Sequence, residues 1–412
     1  MRGAVYRPMT MNELRPASNG PAPNTRVITT TAELAALCER LATADFVTVD
    51  TEFMRENTFW PRLCLIQVGG PDEARAIDPM VDGLDLAPLF ALMANHDVLK
   101  VFHAARQDIE IFLHLSGRIP EPLFDTQVAA MVCGYGESVS YETLVAKIAR
   151  ASLDKSSRFT DWARRPLTER QLKYALDDVT HLRLVYETLA GQLERTGRSN
   201  WLDEEMAVLM DPATYRVEPA RAWQRIKTRT SNRKFLGVLK ELAAWREVEA
   251  QARDLPRGRI LKDDALLEVA AHPPTSIDDL KQLRGVPRGF AEGRLGQSLV
   301  DAARRADPLP DEEMPDVERS VEGARGLGPL VELLKVVLKA KCEAHDVAQK
   351  LVANTADLER IAAGDPDVPA LSGWRRDIFG ADALALREGR LALAAEGRRV
   401  KLVRLEPKPS DA

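Results

Sequence analysis

Four short apolar runs of strand length, separated by polar or turn-forming residues, lie in the first quarter of the chain. They cover residues 46–53, 62–68, 74–77 and 98–103. Runs of this length that are rich in branched and aromatic residues favour β-strands. Helical spacing of apolar residues appears between and after these runs, so the pattern predicts a mixed α/β sheet with flanking helices.

The clearest helical pattern of this half follows Pro166. Thr168 is suited to an N-cap, and Gln171, three positions on, completes a capping box. The apolar stripe that follows consists of Leu172, Leu176, Val179, Leu182 and Leu189. Tyr174 and Asp178 lie one turn apart on a neighbouring line of the same helix, so both can face a cleft beside the stripe.

From about residue 221 onwards the pattern is helical throughout. Apolar residues recur at helical spacing in 234–245 and again in 263–270, before Pro273 and Pro274 end the pattern. After an acidic stretch that contains proline, residues 352–362 repeat the pattern of 260–270. We therefore predict two all-α helical bundles, at 221–305 and 326–405, joined by an acidic linker at 306–325.

Composition limits the class of protein. A chain of 412 residues exceeds the usual single domain, and no apolar run approaches the length of a membrane span. The four cysteines lack C-x-x-C spacing, which argues against a zinc ribbon or disulfide framework and favours a reducing cytoplasm. Residues 1–26 have no apolar core like that of a signal peptide, so we expect disorder there, with Met1, Met9 or Met11 as the start. The N-terminal domain then covers 27–205.

The net charge of −5 conceals a basic segment. Residues 221–262 contain 12 Lys or Arg and 4 Asp or Glu. A basic helical segment favours phosphate backbones through the release of counterions. A solvated helix face is the alternative interpretation.

Acidic residues interrupt the first predicted strand. Asp50 and Glu52 follow the apolar run 46–49, and side chains two positions apart on a strand share a face. Their carboxylates repel each other unless a cation lies between them, and hard oxygen ligands suit Mg²⁺ or Mn²⁺. Asp108 falls in the first turns of the helix that follows the strand at 98–103. Taken alone, acids at a strand end are more often simply exposed.

Together with Tyr174 and Asp178, these acids resemble the carboxylate set of the DEDD exonuclease superfamily, in its tyrosine branch. The histidine branch would have histidine five positions before the last acid, where this chain has Lys173. More narrowly, residues 48–182 resemble the ribonuclease D family. The motifs that carry this resemblance are Val49-Asp50-Thr51-Glu52-Phe53, Leu65-Ile66-Gln67, His103-Ala104, Phe124-Asp125-Thr126-Gln127, Leu153-Asp154-Lys155-Ser156, Asp161-Trp162, Arg165-Pro166-Leu167-Thr168 and Tyr174-Ala175-Leu176-Asp177-Asp178-Val179.

The helical half resembles the HRDC domain, a small bundle that often binds nucleic acid. In residues 221–305 the resemblance rests on Trp245-Arg246, Leu255-Pro256 and Leu283-Arg284-Gly285-Val286. Residues 326–405 resemble a second, diverged copy, with Leu371-Ser372-Gly373-Trp374 where the first has its last motif. We expect this second copy either to bind RNA or to pack against the N-terminal domain.

The resemblance implies a ribonuclease-H-like fold and hydrolysis with two Mg²⁺ or Mn²⁺ ions. Asp50 would bridge the metals, Glu52 and Asp178 would complete the site, Asp108 would support the second metal, and Tyr174 would orient the attacking water. The implied function is a 3′–5′ exoribonuclease that trims transfer RNA precursors and other structured RNAs to release nucleoside 5′-monophosphates. Because the acids cannot distinguish sugars, a DNA exonuclease of the same mechanism is one alternative. A non-catalytic nucleic-acid-binding scaffold is another.

Further residues are predicted from their type and position. Candidates for nucleic-acid contact are Lys155, Arg158, Arg165, Arg229, Arg233 and Lys234. Asp177 is expected to be solvated, and Asp125 and His103 are expected to form structural hydrogen bonds rather than to act in catalysis. For Phe59 and Trp60, stacking on a base and a role in a turn or core are equal alternatives.

Overall fold

The computed structural model describes residues 26–228, 230–314 and 326–405. In this part of the chain an N-terminal α/β domain is followed by a helical bundle and then by a C-terminal domain of helices and one hairpin. The expectations for residues 1–25, Arg229, residues 315–325 and the side chain of Lys155 lie outside what is described. Among the described residues, no helix is both long and apolar enough to cross a bilayer.

A five-stranded mixed sheet, in the order β3-β2-β1-β4-β5, forms the centre of the N-terminal domain. The strands are β1 Phe46–Met54, β2 Arg62–Gly69, β3 Ala74–Ile77, β4 Leu99–Phe102 and β5 Leu123–Asp125. Strands β1, β2 and β3 pair antiparallel, whereas β1, β4 and β5 pair parallel. The four predicted strands are confirmed. The fifth, β5, has three residues, too few to show a periodic pattern.

Helices flank this sheet, and one of them crosses its central strand. The helices are α1 Thr31–Leu41, α2 Ala87–Met93, α3 Arg106–Ser116, α4 Thr126–Val132, α5 Tyr141–Leu144, α6 Glu169–Thr196 and α7 Asp203–Met210. The predicted capping box of α6 is confirmed, because Thr168 and Gln171 exchange side-chain-to-backbone hydrogen bonds of 3.2 and 3.0 Å. The Thr48 hydroxyl on β1 donates to the Val179 carbonyl at 2.7 Å, which fixes α6 against β1.

The helical bundle has a hydrophobic core of its own. It consists of α8 Arg233–Arg253, α9 Arg257–Ile260, α10 Asp263–Ala271, α11 Ile277–Gln282, α12 Arg288–Ala291 and α13 Arg294–Arg304. The first part of the linker predicted at 306–325 is structured with the bundle. Leu309 is buried in the bundle, and Glu313 forms an ion pair with Lys240 at 2.6 Å. Residues 306–314 therefore belong to the bundle, held by an apolar anchor that their acidic, proline-containing composition conceals.

The prediction that the C-terminal domain is all-α is wrong. Its helices α14 Gly328–His345, α15 Gln349–Val352, α16 Thr355–Ala363, α17 Gly373–Arg375 and α18 Ala381–Arg387 are followed by an antiparallel hairpin of β6 Leu391–Glu396 and β7 Arg399–Arg404. Gly397 begins the two-residue turn with a φ of 62°, a conformation in which glycine is not strained. Val400 and Leu402 alternate with the charged residues Arg399 and Lys401, and this period of two favours a strand over the helical spacing of the rest of the domain.

Turns of 3₁₀ and π geometry connect the longer elements. The 3₁₀ turns are Lys155–Ser157, Ser199–Leu202, Pro212–Thr214, Pro219–Arg225, Asp311–Glu313 and Pro369–Leu371, and the π turns are Val145–Ala149 and Arg376–Gly380.

The C-terminal domain shares one continuous hydrophobic core with the N-terminal domain. The backbone N–H of Ala348 donates to the carbonyl of Met131 at 3.0 Å, across the junction of the two domains. Gly134, with a φ of 80°, lies so near this junction that a Cβ atom there would come within 2.9 Å of Asp346. Of the two expectations for this domain, packing against the N-terminal domain is the one that the structure bears out.

Candidate active site

Asp50 and Glu52 project from β1 beyond the point where β4 pairs with it. The parallel pairing of β1 with β4 covers only residues 46–48, whereas the antiparallel pairing with β2 continues to Met54. A register irregularity lies between Glu52 and Phe53. A bulge of this kind bends a strand and redirects its side chains. The two acids therefore stand where the sheet opens.

Helix α6 brings a third acid to the same place. Asp178 lies next to Val179, whose carbonyl is fixed to β1 by Thr48. One carboxylate oxygen from each of Asp50, Glu52 and Asp178 lies within 4.8 Å of the other two. Residues far apart in sequence thus form one compact oxygen cluster.

Asp108 lies in the first turn of α3, as predicted, and its side chain is buried. Its carboxylate accepts a hydrogen bond from the Thr51 hydroxyl on β1. It falls outside the compact cluster of three, but its charge contributes to raising the pKa of Asp50 and of Glu52. Asp108 therefore acts on the cluster electrostatically and is held beside it by Thr51, a residue that the sequence analysis did not single out.

Asp125 fixes the beginning of α3. Its two carboxylate oxygens accept hydrogen bonds from the backbone N–H groups of Ala104 and Ala105 at 3.0 and 2.9 Å, and Oδ1 also caps α4 through Gln127. Ala104 has a φ of 58°, a left-handed conformation that these bonds help to maintain. The predicted structural role of Asp125 is confirmed.

Burial and mutual repulsion keep these acids from ionising together. Burial, followed by the charges of neighbouring acids, raises the pKa of Asp50 well above its ordinary value and that of Glu52 to about 9. The pKa of Asp178 is raised to about 8, mainly by burial and by the charge of Asp177, and burial raises that of Asp108 to about 7. A cluster of hard oxygen ligands that resists ionisation fits a divalent cation, which would stabilise the charged forms.

Tyr174 lines the same cleft as the acids. Burial and the negative charges of Asp178, Glu52 and Asp50 raise the pKa of its phenol above the ordinary value. A hydrogen bond from Tyr174 also lowers the pKa of Asp178, in opposition to burial. Tyr174 therefore stays protonated and serves as a hydrogen-bond donor rather than as a base.

The cleft has a volume of about 890 Å³ and combines several segments of the N-terminal domain. Besides the acids and Tyr174, its walls include Arg55, His103, Tyr141, Arg158, Phe159 and Trp162. The positive charge of Arg158 lowers the pKa of Glu52 and of Asp178. Its place at the acids keeps it a candidate for phosphate contact.

Arg165 has a different role from the one its type suggested. Its guanidinium forms a two-point ion pair with Asp78, at 2.6 and 2.7 Å, and donates to the carbonyls of Cys64 and Trp162. A further contact to the carbonyl of Arg164 occupies its remaining donor capacity. No donor is left for a phosphate, so Arg165 holds the segment before α6 against the sheet. The sequence does not reveal this because Asp78 lies far upstream.

The two described candidates of the bundle differ in their surroundings. Arg233 donates to the Leu309 carbonyl at 2.8 Å and pairs with Asp311, so its charge is partly used within the bundle. Lys234 is exposed at the beginning of α8, beside a separate cavity. Neither lines the cleft that contains the acids.

The remaining predictions have clear structural outcomes. His103 bonds Thr126 through Nδ1 at 3.0 Å, which bears out the structural role, while its Nε2 lies buried without a partner. Asp177 is not solvated as expected, because it is only partly exposed and pairs with Lys173 at 2.6 Å.

Phe59 and Trp60 have the turn-and-core role rather than a free stacking face. Phe59 is buried against the core of the bundle, and the Trp60 ring stacks on that of His114 with centroids 4.3 Å apart.

Comparison with known proteins covers both halves of the chain. A family model described as 3′–5′ exonuclease matches residues 25–194, and one described as HRDC domain matches residues 235–302. Ribonuclease D of Granulibacter bethesdensis is 55% identical over 92% of this chain and 97% of its own length. Ribonuclease D of Gluconacetobacter diazotrophicus is 52% identical over the same shares of the two chains.

Among solved structures, the crystal structure of Escherichia coli RNase D, described as an exoribonuclease involved in structured RNA processing, superposes with a TM-score of 0.76 at 30% identity. The match covers 89% of this chain and 99% of that one. The second HRDC copy stays a prediction.

Proposed function

Because the chain belongs to the ribonuclease D family and is a 3′–5′ exoribonuclease, we propose that it trims the 3′ ends of structured RNAs, transfer RNA precursors foremost. The products would be nucleoside 5′-monophosphates and an RNA one nucleotide shorter. The observation that carries this proposal is the convergence of Asp50, Glu52 and Asp178 within 4.8 Å, beside a phenol and an arginine in one cleft.

The cluster would hold two divalent ions, Mg²⁺ or Mn²⁺. Asp50, Glu52 and Asp178 would supply the shared oxygen ligands, and Asp108 would support one ion from its position behind Thr51. When bound, such ions lower the pKa of a water molecule and neutralise charge on the phosphate. The donor set supports this assignment, since it consists of carboxylate oxygens alone and lacks the softer ligands of zinc sites.

The side chains of the chain itself would position the reacting groups. Tyr174 stays protonated and can donate a hydrogen bond to the attacking water next to Asp178. Arg158, which faces the same acids, would offset the charge of the phosphate. The water oxygen attacks phosphorus, the bond to the 3′ oxygen of the preceding nucleotide breaks, and that oxygen takes a proton to become the new 3′ hydroxyl.

The cellular setting is proposed to be a reducing cytoplasm. All four cysteines are buried as free thiols in the described part of the chain. The pKa values of Cys38, Cys133 and Cys342 are raised by burial, so their thiols stay protonated and unreactive.

The test is a time course with a 3′-extended transfer RNA and a matched DNA oligonucleotide, with Mg²⁺, with Mn²⁺ and with chelator. We expect stepwise shortening of the RNA from its 3′ end that chelation abolishes. Asp178→Asn should lose activity by several orders of magnitude, while the matched control Asp177→Asn should keep most of it. Equal activity of the Asp178→Asn variant, or preference for DNA, would refute the proposal.

A further inference from the structure

The side chain of Phe159 is 90% exposed, although it lies on the wall of the catalytic cleft. The other large apolar side chains that are exposed in the described residues are aliphatic, and none of them exceeds 55%. Aromatic rings are normally the side chains that bury most surface in a core. An exposed aromatic ring at the mouth of a functional cleft therefore indicates a ligand with an apolar face.

The backbone that carries Phe159 is anchored on both sides. Ser157 is buried, and its carbonyl accepts hydrogen bonds from the Thr160 backbone N–H at 3.2 Å and from the Thr160 hydroxyl at 2.8 Å. Gln171, in the first turn of α6, donates to the same hydroxyl at 3.1 Å. Trp162, two residues further, is buried in the core beneath α6. The exposed ring thus projects from a fixed turn and not from a loose loop.

Arg158 completes the local arrangement. Its guanidinium lies over the Phe159 ring at 5.2 Å, within the range of a cation–π contact. It lines the same cleft as the acids, and its charge acts on Glu52 and Asp178. An aromatic face next to a positive charge matches the two parts of a nucleotide, the base and the phosphate.

We propose that Phe159 stacks on a nucleobase close to the 3′ end of the RNA, while Arg158 contacts the adjoining phosphate. The inference rests on the proposed exoribonuclease function and adds to it the means by which the tail is held. Because every base has a π face, stacking tolerates all sequences, as an enzyme that removes successive nucleotides requires. The stacked base lies on the 5′ side of the scissile bond, since the ring stands at the rim of the cleft.

The experiment compares Phe159→Ala, Phe159→Leu and Phe159→Trp with the wild type on a single-stranded RNA. Leucine keeps apolar bulk without a π face, and tryptophan keeps the face. We expect the Ala and Leu variants to bind RNA about tenfold more weakly by fluorescence anisotropy in chelator, and to raise KM with little change in kcat. The Trp variant should match the wild type. Equal melting temperatures would show that the fold is unaffected.

Substrates with one abasic site, placed in turn at each of the last positions, locate the contact. With the wild type, an abasic site at one of these positions should weaken RNA binding about tenfold. With Phe159→Ala, an abasic site at that same position should not weaken binding further. The inference would be overturned if all four proteins bound RNA with equal affinity, or if the wild type did not bind RNA. It would also be overturned if Phe159→Leu bound RNA as well as the wild type while Phe159→Ala did not. Failure of the exoribonuclease function would appear separately, as intact RNA in the presence of metal while binding still depends on Phe159.

Discussion

Trp201 and Trp374 stack face to face across the junction of the N-terminal and C-terminal domains, with ring centroids 4.4 Å apart and an angle of 5° between the rings. Next to this pair, Arg375 is nearly buried and forms ion pairs with Glu204 and Glu205 of α7. Together with the continuous core, these contacts make the C-terminal domain a structural part of the catalytic one.

Removal of residues 315–412 should therefore destabilise the catalytic domain rather than merely reduce RNA affinity. The truncation exposes the apolar face that α14 and the segments around it cover. We expect a lower melting temperature and aggregation, measured by calorimetry and light scattering. A milder version of the test is Trp374→Ala, which should lose about 2–4 kcal/mol of unfolding free energy, with Trp374→Phe as a control that loses less. A truncated protein with an unchanged melting temperature would contradict the shared core.

Arg165 and Arg158 should separate into a structural and a binding role. Arg165→Ala leaves Asp78 without its partner and frees carbonyl acceptors, so we expect a loss of about 2–4 kcal/mol in unfolding free energy. Arg158→Ala should leave urea unfolding unchanged and weaken RNA binding. In a plot of the logarithm of the RNA-binding constant against the logarithm of salt concentration, the slope of the variant should be smaller by about 0.7. This is the value for one phosphate contact on a single strand. Unfolding effects in the reverse order would refute this division.

Addition of a divalent cation should stabilise the protein more as the pH rises. Folding raises the pKa values of Glu52, Asp178 and Asp108 to about 9, 8 and 7, whereas unfolded acids titrate near about 4. Their contribution to stability is therefore complete at low pH and is lost as the pH rises through the folded values. Because the cation binds the ionised forms, the gain in melting temperature with Mn²⁺ should increase between pH 6 and pH 9 (roughly the window of these shifts).

The measured quantity is the difference between the melting temperatures with and without Mn²⁺. Titrating groups that do not contact the ion contribute equally to both temperatures, so their effect cancels. Asp50→Asn serves as the control, since it removes one ligand and one charge from the cluster. This variant should be more stable than the wild type in chelator at pH 8 and should gain little from Mn²⁺. A gain that is independent of pH, or that survives in the variant, would argue against a cation at this cluster.

Asp254 connects the helical bundle to the wall of the cleft. It ends α8 in a left-handed conformation with a φ of 49°, and its Oδ1 accepts from the backbone N–H groups of Phe59 and Trp60 at 3.0 and 2.9 Å. The same β1–β2 connection includes Arg55 and Glu56, which line the cleft. Asp254→Ala should lower the free energy of unfolding by about 2–3 kcal/mol and speed hydrogen exchange in residues 55–61. Asp254→Asn keeps the acceptor and tolerates the left-handed backbone, so it should cost less.

Sequence patterns predict the local part of this structure well. The first four strands follow from apolar runs of strand length, and the capping box at Thr168 is encoded within four residues. What the patterns miss depends on distant partners. The Asp78 that occupies Arg165 lies 87 residues away, and the Asp254 that holds Phe59 lies 195 residues away. Phe159 belongs to the same class, because an isolated phenylalanine in a polar segment gives no sign of whether its ring is covered.

The unequal lengths of β1 and β4 have a consequence for natural variation in this family. The opening beside Asp50 and Glu52 exists because β4 stops early and leaves the far end of β1 unpaired on one edge. If β4 were two residues longer, it would pair with that edge of β1, and its backbone would cover the acids. Loop insertions elsewhere should be tolerated in relatives, whereas the reach of this one short strand should stay constant.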